Sequence, residues 1–169
     1  MGNGARISIA AAALVAIFVA GSVALISPTR ALSAAVMRDC MDVVKENALG
    51  AKIISVTAIQ PEPNKRRLED FGRATQAVIS RGGLIPSEPS VLVEFQTERG
   101  NGKALCDYSA QLETGTGTYS GVSADGIQIG THSLPTVDLA LRKRFDVGRL
   151  DRVLSLVPIF GVDQKFYLD

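Results

Sequence analysis

Residues 91–112 read VLVEFQTERGNGKALCDYSAQL, and their alternation decides the fold. Successive strand side chains take opposite faces, so Val91, Val93 and Phe95 share one face of a first segment. Cys106, Tyr108 and Ala110 share one face of a second. Between them Asn101-Gly102 is a dipeptide suited to the positive φ angles of a tight turn, which predicts an antiparallel hairpin over residues 91–97 and 104–112.

Working outward, residues 119–122 and 127–131 suggest a second, shorter hairpin around Asp125-Gly126. The Gly-rich stretch holding Gly115, Gly117 and Gly121 has the spacing Gly-x-Gly-x-x-x-Gly. A dinucleotide site needs its third glycine one residue sooner and a helix to follow, so this stretch reads as a connection between strands.

Upstream, residues 33–49 place Val36, Cys40, Val43 and Val44 on one helical face, with Gly50 as the stop. Residues 52–60 are rich in β-branched side chains and read as a strand closed by Pro61 and Pro63. Asn64 is placed to cap a second helix running to Ser80, with Leu68, Phe71, Thr75 and Val78 on its apolar face and Gly82-Gly83 closing it. Glu69 and Asp70 lie beside Arg66 and Arg73 on the polar face, an ion-paired surface rather than an acid/base pair. Pro86 and Pro89 mark a loop.

Downstream, Thr136 is a candidate cap for a helix over residues 137–145, and residues 150–160 are strongly apolar up to and beyond Pro158. Helices around a mostly antiparallel sheet make the class α+β, with one domain over residues 30–169 preceded by an N-terminal segment over residues 1–29.

That segment carries the clearest functional signal. Ile7 to Ile26 form twenty consecutive residues without a charge, and a helix of that length spans about 30 Å, the thickness of a bilayer's hydrocarbon core. The run exceeds the roughly 7–15 apolar residues of a cleavable signal, which favours a single-pass anchor. Small residues at Thr29 and Ala31, Ala31 and Ser33, or Ser33 and Ala35 offer a processing site as the alternative. Ser8, Ala12, Ala16, Ala20 and Ala24 recur every four residues and form a smooth stripe for close approach of a partner helix. Arg30, Arg38 and Lys45 follow the run, but long domains translocate largely regardless of flanking charge, so the domain is placed outside the cytoplasm.

An extracytoplasmic domain with two cysteines implies a disulfide between Cys40 and Cys106. Neither has a Cys-x-x-Cys neighbour, so the pair reads as structural rather than redox-active.

His132 is the single histidine, adjacent to Ser133 and six residues before Asp138. A Ser-His-Asp arrangement is defined by geometry, and no nucleophile-elbow pattern accompanies these residues. One histidine also falls short of the spacings that hold zinc, and the sequence suggests neither metal nor cofactor.

With 18 basic against 17 acidic residues the chain has a net charge of +1, which excludes the electrostatic footprint of nucleic-acid binding. Basic residues concentrate instead in the C-terminal quarter. Arg142, Lys143, Arg144, Arg149 and Arg152 flank Leu141, Phe145, Leu150, Val153, Leu154 and Val157. Such a segment suits contact with a membrane surface or a partner, or cover over the domain's own core.

The sequence thus points to a membrane-anchored, non-catalytic accessory protein, bound to the bilayer through residues 7–26 and to another membrane or envelope protein. The alternatives are a cleaved periplasmic or secreted small-ligand-binding protein and a hydrolase using His132.

Overall fold

The computed structural model describes residues 27–59 and 72–166. The predicted span at residues 7–26, its small-residue stripe, Asn64 and the Glu69-Asp70 pair lie outside the described residues. No helix among the described residues is long and apolar enough to cross a membrane.

The class is α+β. A long helix α1 (Pro28–Asn47) leads into β1 (Lys52–Ile59), then α2 (Arg73–Ser80), β2 (Leu84–Ser87), β3 (Ser90–Thr97), β4 (Gly100–Glu113) and β5 (Thr118–Ile129). The chain continues through β6 (His132–Ser133), α3 (Thr136–Leu141), β7 (Phe145–Val147), α4 (Arg149–Leu154) and β8 (Asp163–Phe166). The strands form one sheet in the order β6-β5-β4-β3-β1-β8; β2 pairs with β4 beyond the start of β3, and β7 pairs with β5 beyond β6. Its edges are built from strands of two to four residues, which leaves little unpaired backbone for adventitious pairing.

The central hairpin forms as expected, with Val91 opposite Cys106 and Val93 opposite Ala104. Its turn does not. Asn101 and Gly102 lie within β4, opposite Gln96 and Phe95, and the chain reverses at residues 98–99. Gly102 serves a different purpose: a Cβ there would come within 2.5 Å of Phe95 Cζ, so the glycine admits the ring over the strand.

Five other expectations are corrected. The proposed second hairpin is one strand, β5, whose register shifts opposite residues 107–111 carry it through Asp125-Gly126 without reversing. The Pro86 loop is β2, since an edge position tolerates a residue that cannot donate. The helix expected over residues 137–145 ends at Leu141, and Phe145 belongs to β7. Pro135, not Thr136, holds its N-cap position. Helix α1 starts at Pro28 rather than residue 33, with the Ser27 hydroxyl accepting from the Thr29 amide at 3.2 Å.

Helix α1 lies on one face of the sheet, against Val56, Val91, Val93 and Val122. One face is not the whole of its burial. Ala31, Leu32, Ser33 and Ala34 are consecutive and all buried, and four successive positions sweep about 300° around a helix axis. Something must cover the side away from the sheet. Strand β7 lies at one edge and β8 at the other, and the connection between them crosses over α1 as a strap, residues 148–162, that includes α4.

Candidate functional site

The strap is braced within itself at one point and held to the rest of the domain at two. Asp151 Oδ2 accepts from the Gly148 amide at 2.7 Å, which fixes the start of α4. Arg152 Nη2 donates to Gly117 O at 2.6 Å in the β4–β5 turn. Gly117 sits at φ +64°, and a Cβ there would meet that guanidinium at 2.6 Å. From α1, Arg38 Nη2 donates to Leu154 O at 2.6 Å, which also accepts from the Val157 amide at 3.1 Å, and to Val157 O at 3.4 Å just beyond α4. Ser155 is buried between these contacts.

The strap's outer side has no such cover. Leu150 is 79% exposed, Phe160 89% and Leu154 47%, with Leu156 and Val157 also exposed. On α3, which precedes the strap, Leu141 is 80% exposed. These exposed apolar side chains all fall within twenty residues of the chain. Lys143, Arg144 and Arg149 are exposed close by in the chain.

Arg142 differs from its neighbours. Its Nη2 lies 3.2 Å from Asp39 Oδ1 and its Nη1 3.3 Å from Glu46 Oε2, so it fastens the end of α3 to α1. Partial burial works against its charge, but the Asp39 and Glu46 carboxylates outweigh this and hold the guanidinium above its ordinary value. Asp39 also accepts from Tyr108 Oη at 2.8 Å. Burial pushes the Tyr108 phenol far up, and the adjacent Asp39 carboxylate adds to the effect.

The disulfide between Cys40 and Cys106 joins α1 to β4 with the Cα atoms 6.0 Å apart. Both residues are fully buried.

The face of the sheet turned away from α1 carries several polar pairs among the described residues. Ser90 Oγ donates to Asp107 at 2.6 Å, and Ser109 Oγ donates to Asp125 at 3.1 Å. Lys103 Nζ lies 2.9 Å from Glu94, which also accepts from Ser55; these two donors hold the Glu94 carboxyl below its usual range.

His132 and Ser133 are neighbours on β6 and both are exposed, opposite Ile129 and Gln128 respectively. Adjacent strand positions face opposite sides, so the two side chains diverge. Asp138 is exposed on α3. A hollow of about 230 Å³ is lined by Asn47, Ile129, His132, Ser133 and Leu134, below the roughly 300–1,000 Å³ usual for a small-molecule site. No group of side chains suited to a metal ion occurs among the described residues.

Of the residues singled out from sequence, Cys40 and Cys106 meet, Arg142 turns inward to α1, and Lys143, Arg144, Leu150 and Leu154 reach the surface. Ala12, Ala16, Ala20 and Ala24 lie outside the described residues. Sequence reasoning missed Asp39 and Tyr108, whose pairing depends on the azimuth of α1, and Arg38, whose partners are backbone carbonyls more than a hundred residues away. Comparison with family models, curated proteins and solved structures returned no match.

Proposed function

We propose that the chain is a membrane-anchored, non-catalytic accessory protein whose extracytoplasmic domain binds another membrane or envelope protein. The observation that carries this reading is the sequence and disulfide taken together. An apolar run of twenty residues without a charge ends at Ile26, and the domain's first helix, capped by Ser27, enters a core stapled by a buried disulfide. A structural disulfide suits an oxidising compartment, and a run of that length suits a bilayer. Exposed leucines on the strap supply apolar surface suited to contact with the membrane environment.

The test is native mass spectrometry of the endogenously expressed, tagged protein extracted in mild detergent. A full-length chain in a stoichiometric complex is the expected result. A chain shortened near residues 31–36 and running alone overturns the anchored reading in favour of a cleaved, soluble binding protein.

A further inference from the structure

The strap's exposed face needs an occupant, and the way the chain enters the domain identifies one. Ile26 is the last residue of the apolar run and Ser27 is already the N-cap of α1, so no linker separates anchor from domain. The first turn of α1 also lies beside the strap's attachments. The position of a Cβ on Gly117 is 3.7 Å from Pro28 Cγ and 2.6 Å from the Arg152 guanidinium, and Thr29 Oγ1 is 3.5 Å from Tyr119 Oη.

We infer that the outer face of the strap, with Leu150, Leu156 and Phe160 leading, rests in the headgroup region of the bilayer that residues 7–26 cross. This rests on the anchored reading above and deepens it. Ser27 has φ −56° and ψ 134°, an extended conformation, and the residue before a proline is disfavoured in the helical region. Ser27 is therefore outside the helical conformation where α1 begins, which leaves α1 free to lie along the surface with the strap beneath it.

Charge agrees with that orientation. Exposed Lys143, Arg144 and Arg149 accompany the apolar face, the composition of a segment that lies in an anionic interface. The opposite face of the sheet carries Asp107 and Asp125 among serines, with Glu94 paired to Lys103, and turns toward the aqueous compartment. The tether does the rest: an attached surface meets the bilayer at a high effective concentration, so a modest apolar contact suffices.

The chain has no tryptophan, which makes a single reporter possible. Full-length Phe160→Trp and, separately, Gln128→Trp on the bare sheet face are reconstituted into vesicles of phosphatidylcholine and phosphatidylglycerol in equal parts, with and without brominated acyl chains. Insertion by about 5–10 Å places the indole at position 160 near the bromines. Its emission should shift to the blue and be quenched several-fold more than that of Gln128→Trp, and adding Arg149→Glu should reduce the difference. Equal, weak quenching at both positions overturns the proposal while leaving the anchor intact. Protection of position 160 from acrylamide without quenching by bromine also overturns it, because a protein surface then covers the strap. Failure of the chain to float with the vesicles overturns the anchor and this surface together.

Discussion

Tyr108 Oη donates to Asp39 Oδ2 at 2.8 Å, one residue along α1 and one inward-facing position along β4 from the Cys40–Cys106 disulfide. The helix is thus fixed to the sheet twice at the same level, once covalently and once through a charged acceptor. A single staple permits rotation of α1 about the bond; the second contact sets which of its faces meets the sheet. Tyr108→Phe keeps the ring and removes the hydrogen bond, and should cost about 1.5–3 kcal/mol, measured by urea unfolding. A loss no larger than that of an exposed substitution would show that the contact does not constrain the helix.

The same tyrosine predicts behaviour at alkaline pH. Its folded-state pKa is raised, so the native chain retains a proton that the unfolded chain releases near pH 10. The associated stability is complete below about pH 10 and declines as pH rises above it, by at most about 1.4 kcal/mol per pH unit. Unfolding free energy followed across that range should fall more steeply for the wild-type chain than for Tyr108→Phe.

Removing the disulfide should destabilise the domain by the same amount from either side. The linked residues are 66 apart in sequence, and a loop of that size corresponds to about 4 kcal/mol in the chain-entropy account. Cys40→Ala and Cys106→Ala should therefore show equal shifts in unfolding midpoint, and reduction of the wild-type chain should match them. Alkylation of native, non-reduced protein should find no free thiol.

Gly102→Ala should damage the hairpin although alanine favours strands no less than glycine does. The added methyl collides with the Phe95 ring, and overpacking of this kind costs about 1–3 kcal/mol. Phe95→Leu in the same chain should recover part of the loss. Thermal unfolding of the two single variants and the double variant checks the coupling.

Arg38→Ala should loosen the strap without unfolding the sheet. Its bonds to Leu154 O and Val157 O are the link from α1 to the end of α4, and a hydrogen bond from a charged donor contributes about 1.5–3 kcal/mol. Hydrogen exchange should accelerate over residues 150–160, while β3 and β4 keep their protection. Leu154→Asp should fold, because half of that side chain already faces solvent.

Sequence alone determined what depends on local periodicity and composition. The alternation of residues 91–97 and 104–112 identified the hairpin because one side of it packs against a core and the other does not. Two cysteines without close spacing identified the disulfide, and the charge-free run is the basis of the proposed anchor. Tertiary structure decided what depends on relative placement. Asn101-Gly102 has the composition of a turn, yet cross-strand pairing moved the reversal to residues 98–99 and gave Gly102 to Phe95. Asp125-Gly126 also resembles a turn, but register shifts absorb it within β5. Residues 31–34 are consecutive and all buried, which no amphipathic pattern announces, because their cover comes from tertiary packing. Local sequence encodes which side chains avoid water; only the folded chain supplies the surface against which each of them does so.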